Sequence, residues 1–236
     1  GLFRRPAGGR VLGPTPAPDQ RVIALAAEWP GVLPLHGKES VSVVEIALGQ
    51  PEQKFLVVAD TGSANLWVMD ETCRSCDRRG IKHTKYRRRK SRSFRDLGAS
   101  MSMRYSSGWM RGHWAQERLR VGTASMPVQL ALANEVSEPL DQIQSSGILG
   151  LGFPAVSRTD LEHRPCFLES LSRTHAASMT EPVFTFVWNG SRLGDAGELV
   201  VGEMQFHLYD GGVHWLPILP TLVGDDRLPQ YGYWRG

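Results

Sequence analysis

Asp60, Thr61, Gly62 and Ser63 close an apolar run, Phe55 to Ala59. A carboxylate at the edge of such a strand is costly to bury unless it is hydrogen-bonded. Thr61, Gly62 and Ser63 can supply those bonds through backbone N–H groups and hydroxyls, because glycine permits the tight turn. A carboxylate held in this way keeps its charge and a fixed direction, as proton-transfer chemistry requires. A lone Asp-Thr-Gly is more often only a turn, so the tripeptide needs company before it means chemistry.

Other residues offer further chemistry. Cys73 and Cys76 form a CxxC pair, open to three readings: a disulfide, a redox pair or half of a zinc site. There is no second CxxC, and His83 is the one nearby extra ligand, which weakens zinc. The Arg-rich surroundings do not suggest a redox helix start, so a small structural disulfide in an oxidising compartment is favoured. Asn189-Gly190-Ser191 is a glycosylation sequon, a short pattern with many chance matches. Eight Lys or Arg and no acid lie between Lys82 and Arg95. A solvated surface loop is the commonest fate of such a run; an anionic docking patch or a processing site is the sharper alternative.

The elements that must position these groups are short. Frequent, scattered glycine (25) and proline (15), with Val, Leu, Phe and Trp in short runs, favour many strands joined by turns. Hydrophobic residues make up 41% and charged ones 22%, the balance of a globular chain able to bury a core. No run of eighteen apolar residues occurs, so no transmembrane helix is expected. A net charge of +3 is too small to argue for nucleic acid. Residues 1–20 are rich in Pro, Gly and Arg and lack periodicity, as an extended tail does.

From Val41 the pattern alternates: SVVEIALG, a turn at Gly49, Gln50 and Pro51, then KFLVVADTG, which predicts a hairpin ending at Asp60. Residues 101–122 alternate again and suit a long hairpin. QIQSSGILGLGFP (142–154) is small, apolar and glycine-spaced, and Cys166 to Ser172 has room for a short helix. VFTFVW, ELVVG and VHWLPIL complete the strand-like runs.

Together these segments resemble the pepsin-like aspartic proteases. Asp60 to Val68, DTGSANLWV, is similar to that family's first active-site motif, and EIALGQPEQKFLVVA resembles the hairpin before it. His83, Tyr86, Ser91, Ser93 and Phe94 fall at the family's spacing after its first cysteine pair. MSMRYSSGWMRGHWAQERLRVG matches the flap hairpin without a gap, with Tyr105 at the flap-tyrosine position. SSGILGLGFP, EPVFTFVW, GELVVGE, VHWLPI and Tyr233-Trp234 follow in the family's order. The resemblance covers residues 33 to 234.

It implies an all-β fold: the amino-terminal, double-psi-type β-barrel lobe of an acid protease, with a flap hairpin and short helices, over 33–236. Residues 1–32 are then an extended tail or propeptide remnant. In such enzymes two aspartates share one water, and like-charge repulsion splits their ionisations. The resemblance makes Asp60 one of the pair and gives Thr61, Gly62 and Ser63 supporting places. Ser63 would bond the carboxylate, and the Gly62 N–H would approach the water. Tyr105 would close over substrate with its hydroxyl on the Trp67 indole N–H. Ser107 and Gly108 would meet substrate backbone at the flap tip, and Ile148 and Leu149 would shape pockets. Read without the resemblance, Tyr105, Trp67, Ile148 and Leu149 are ordinary core residues.

The implied substrate is an extended polypeptide, with no cofactor or metal, and the expected partner is a second chain or lobe carrying the other aspartate. Asp60 is the only Asp in a D-[TS]-G triplet here. The expected setting is the secretory pathway, a lysosome-like compartment or the extracellular space. Two alternatives stand beside a working protease: a non-catalytic lobe serving an assembly, and a homodimer pairing two copies of Asp60. Departures from the family pattern are Ser106 for a flap glycine, Ser146 for an aspartate, Ala59 for an aromatic, and Cys166, read as a buried free thiol.

Overall fold

The computed structural model describes residues 31–38, 41–159, 165–175, 183–188, 195–202, 204, 212–222, 229–231 and 234. The fold is all-β. Strands β2 (Val41–Leu48) and β3 (Gln53–Asp60) form the expected hairpin. Their register sets Val44 opposite Val57 and Ile46 opposite Phe55, all four buried, while Glu45 and Lys54 face water as an ion pair. The period-2 alternation thus lands one face of the hairpin in the core. Gly49 turns the chain at a φ of 94°, a value that favours glycine.

Strand β4 (Leu66–Met69) does not pair with β3. The buried strand β8 (Gly147–Gly150) lies between them, parallel to β3 and antiparallel to β4. On its other side β4 runs parallel to β7 (Ala124–Val136). This crossing is the psi arrangement that the resemblance implies, and it demands glycine. A Cβ on Gly147 would sit 2.0 Å from the Trp67 carbonyl oxygen, and one on Gly150 would sit 2.5 Å from the Ala64 carbonyl carbon. The Gly-Ile-Leu-Gly spacing therefore records two backbones in contact.

Strands β5 (Arg95–Tyr105) and β6 (Gly108–Val121) make the long hairpin, with Ser106 and Ser107 at its tip. β6 pairs with β7 and, at its far end, with Ala47 and Leu48 of β2, so the sheet folds back on itself. Strands β1 (Gly31–Lys38), β9 (Phe184–Trp188) and β10 (Asp195–Val201) extend the ten-stranded sheet beyond β2. Helix α1 (Glu138–Asp141) lies against the tip end of the long hairpin, where Ser137 Oγ accepts the Trp109 N–H at 2.9 Å. Helix α2 (Phe167–His175) packs Phe167 and Leu171 into the core.

Two apolar clusters result. The larger joins β2, β3, β6 and β7 around Phe55, Leu119 and Leu130; the smaller gathers Trp67, Trp114, Met69 and Met110 beneath the long hairpin. Each fully buried Leu, Ile or Phe contributes about 1.5–3 kcal/mol relative to exposure. Among the described residues no helix is long and apolar enough to cross a membrane.

One expectation differs. Residues 213–219 read as a strand, yet they pair with no strand among the described residues, and Trp215 and Leu216 are 72% and 79% exposed. An apolar run forms a strand only where a sheet edge receives it. Trp234 behaves oppositely: its indole N–H donates to the Leu151 carbonyl at 3.0 Å, and its ring packs 4.4 Å from Phe153.

Candidate functional site

Asp60 ends β3 where β8 runs alongside, and the Leu151 N–H donates to its carbonyl at 2.8 Å. The next residues turn sharply: the Gly62 N–H donates to Asp60 Oδ1 at 2.8 Å, and the Ser63 hydroxyl donates to Oδ2 at 2.6 Å. Each carboxylate oxygen is therefore fixed by a donor three residues away or fewer. Both donors are neutral, and among the described residues no Lys, Arg or His forms an ion pair with Asp60. The turn's own donors thus fix the direction of both carboxylate oxygens. The Gly62 N–H points at Asp60 itself. Thr61 is exposed, and Ser63 is buried.

Behind the turn a lattice of bonds holds it rigid. The Gly152 N–H donates to the Ser63 carbonyl at 2.7 Å, and the Gly150 N–H to the Asn65 carbonyl at 3.1 Å. The Asn65 side chain donates to Ser157 Oγ at 2.8 Å and accepts the Arg158 N–H at 2.9 Å. Asn65 stands inside the DTGSANLWV motif, but its distant partners could not be read from the sequence.

The long hairpin closes the site from above. Trp67, fully buried, donates its indole N–H to the Tyr105 hydroxyl oxygen at 2.8 Å. Burial, then the charge of Asp60, push the Tyr105 hydroxyl well above the ordinary tyrosine range, so it stays protonated with its own hydrogen available. Ser107 is exposed and Gly108 partly exposed at the tip. Ile148 lies beneath, in the cluster that Tyr105 packs against, and is 6% exposed. Leu149 is wholly buried in the larger core, directly beside Ala59 of β3. Asp60, Thr61, Gly62, Ser63, Trp67, Tyr105 and Ile148 are thus brought together, while Leu149 supports from behind.

Cys73 and Cys76 are joined as a disulfide with both residues buried, so neither offers a free thiolate to zinc. His83 donates through Nε2 to the Ile143 carbonyl at 2.9 Å. Cys166 is free and buried, and burial raises its thiol above the ordinary range. Among the described residues no group of three or more His, Cys, Asp or Glu is placed to hold a metal. Asn189 lies outside the described residues.

A second carboxylate escaped the sequence reading. Asp70, fully buried just after β4, accepts the Thr72 N–H at 2.9 Å and the Thr72 hydroxyl at 2.5 Å on Oδ1. Arg88 Nη2 reaches its Oδ2 at 3.1 Å. The signal was an Asp-x-Thr turn after an apolar strand, with its arginine hidden inside the basic run.

Residues 43–232 match the profile of the family described as eukaryotic aspartyl protease. Pregnancy-associated glycoprotein 2 of Bos taurus is 34% identical over 185 residues, which cover 78% of this chain and 46% of that protein. Gastricsin of Homo sapiens is 31% identical over 189 residues, 79% of this chain and 47% of that protein. Gastricsin of Callithrix jacchus is 29% identical over 218 residues, 92% and 54% respectively. The chain spans about half the length of the curated relatives it matches.

Proposed function

The chain belongs to the eukaryotic aspartyl protease family, and from that premise we propose that it supplies one half of an endopeptidase active site, with Asp60 as one of two catalytic aspartates. The observation that carries this reading is the Asp60 carboxylate, held on both oxygens by donors of its own turn and paired with no cation among the described residues. The other aspartate comes from a second lobe or chain docked against this one.

Brought together, two carboxylates cannot both ionise, so one holds a proton. The charged one takes a proton from the water as its oxygen adds to the scissile carbonyl carbon. The protonated one gives its proton to the carbonyl oxygen, producing a tetrahedral diol. Return of a proton to the amide nitrogen lets the C–N bond break, releasing a carboxylic acid and an amine. Ser63 and the Gly62 N–H fix the direction of Asp60, and Thr61 completes the turn. Tyr105, held by Trp67, lies over the bound polypeptide, with Ser107 and Gly108 bonding its backbone and Ile148 forming part of a pocket.

In this reading residues 33–236 are the lobe and 1–32 an extension to it. Trp188, Trp215, Leu216 and Leu219 are exposed, as apolar side chains that a partner lobe covers would be in the separate chain. The disulfide supports passage through an oxidising, secretory route, and Asn189 is the candidate glycosylation position.

The test is cleavage of an unstructured polypeptide by the intact protein in water enriched in heavy oxygen. New carboxyl termini carrying that oxygen, abolished by Asp60→Asn, are the expected result. No cleavage, or equal cleavage by Asp60→Asn, overturns the reading and leaves a non-catalytic lobe that serves an assembly.

A further inference from the structure

Six of the eight basic residues of 82–95, Lys85 to Arg92, divide into two groups. Lys85 and Arg88 are structural: Lys85 Nζ lies 2.6 Å from Asp77 Oδ2 and donates to the Cys73 carbonyl at 2.6 Å, and Arg88 clamps Asp70. Arg87, Arg89, Lys90 and Arg92 are exposed, and among the described residues no acid forms an ion pair with them.

These four do not wave freely, because the loop is pinned to the β2–β3 turn. The Gln50 N–H donates to Ser91 Oγ at 3.0 Å, and the Arg92 N–H donates to the Gln50 carbonyl at 2.8 Å. Gln53 bonds Arg87 twice, its Oε1 accepting the N–H at 2.9 Å and its Nε2 donating to the carbonyl at 3.1 Å. The pinning brings Arg92 to the rim of an open hollow of about 370 Å³, whose wall also holds Arg118, Arg120 and Ser125. Arg118 reaches Ser125 Oγ at 3.2 Å. The one acid in the wall is Glu52, which Arg120 grips through two bonds of 2.6 Å.

We propose that this face, from the hollow at Arg92, Arg118 and Arg120 to the turn at Arg87, Arg89 and Lys90, binds a linear sulfated glycan. Guanidinium forks match the planar pairs of oxygens on sulfate, and a flexible chain with repeated anions can reach the hollow and the turn together. Ala47 and Pro51 are the apolar side chains of the wall, and among the described residues no aromatic ring lines it to stack a nucleic-acid base. In the secretory setting proposed above, sulfated glycans are repeating polyanions that the chain would meet. The face is remote from Asp60: the eight residues of β3 separate them by about 23 Å. The inference therefore stands apart from the cleavage reading.

The test is binding of the intact protein to surface-immobilised heparin at physiological salt and across a salt series. Expected is measurable affinity with a salt slope of about four ion contacts. The triple variant Arg89→Gln, Arg92→Gln, Arg118→Gln weakens it about ten-fold or more, with an unchanged circular dichroism spectrum. A control triple at exposed positions elsewhere, Arg104→Gln, Arg158→Gln and Arg173→Gln, changes it less than about two-fold. Glu52→Gln removes the one acid and releases Arg120, so it tightens binding about three-fold, a gain that a damaged fold cannot mimic. Absence of binding by the unaltered protein, equal loss in both triples, or equal affinity for an acidic peptide or single-stranded DNA of the same charge would each overturn the proposal.

Discussion

Asp60 and Asp70 follow neighbouring strands, β3 and β4, with only β8 between them, and the two carboxylates are held in opposite ways. Asp70 is wholly buried and meets a cation, Arg88, as well as the donors of Thr72. Its charge is neutralised and its bonds join β4 to the 82–95 loop. Asp60 is half-buried, and among the described residues its carboxylate accepts from the Gly62 N–H and the Ser63 hydroxyl, both from its own turn. A structural aspartate ties distant segments together and is neutralised by its partner. Asp60 instead is oriented locally, by the donors of its own turn.

The contrast can be broken most decisively by exchanging the readouts. Asp60→Asn is expected to lower peptide hydrolysis at least about a thousandfold while changing stability by less than about 1 kcal/mol. Gly147→Ala drives a methyl into the Trp67 carbonyl, and should cost about 3 kcal/mol or more in denaturant unfolding, loosening both aspartates together. Asp70→Asn strands Arg88 and should cost about 2 kcal/mol, less than a fully buried pair because the Arg88 side chain is 30% exposed, with activity per folded molecule retained.

Tyr105→Phe leaves the buried Trp67 N–H without its acceptor. A loss of about 1 kcal/mol in stability and about ten-fold in kcat/KM is expected, since the flap belongs to the Asp60 side. The smallest effect is in pH. Burial, then the positive charge of Arg88, hold His113 below its ordinary value of 6.5. The unfolded chain therefore takes up this proton at higher pH than the folded one. The contribution is present above 6.5 and is lost as pH falls through the lower folded value. Denaturation midpoints measured from about pH 7 to about pH 5 should fall, and His113→Gln should flatten that slope.

How much of this the sequence revealed depends on the distance over which each contact acts. The β2–β3 hairpin was legible because its alternation, its turn residues and its pairing all lie within twenty residues, Val41 to Asp60. The Asp60 turn was legible because its donors are Gly62 and Ser63. The long hairpin was legible in the alternation of residues 101–122, whereas its Tyr105–Trp67 bond came through the family resemblance. The insertion of β8 between β3 and β4 was not readable from periodicity, because parallel pairing joins segments far apart in the chain. The glycines of GILG hinted at close approach without naming the partner.

Asp70 was missed because its cation sits inside a run that looks uniformly solvated. Composition could not separate Arg88, which bonds a buried acid, from Arg89, which faces water. Residues 213–219 were read as a strand from side-chain type alone, and a strand also needs an edge to join.

The central claim, that Asp60 is one of a pair of aspartates acting on a shared water, is tested most directly by calorimetric titration of the intact protein. The titrant is a peptide whose scissile carbonyl is replaced by a tetrahedral, hydroxyl-bearing carbon. The account predicts binding at least about a hundredfold tighter than that of the matching amide peptide, lost in Asp60→Asn. Binding that is no tighter than the amide peptide's, or that survives Asp60→Asn unchanged, would contradict it.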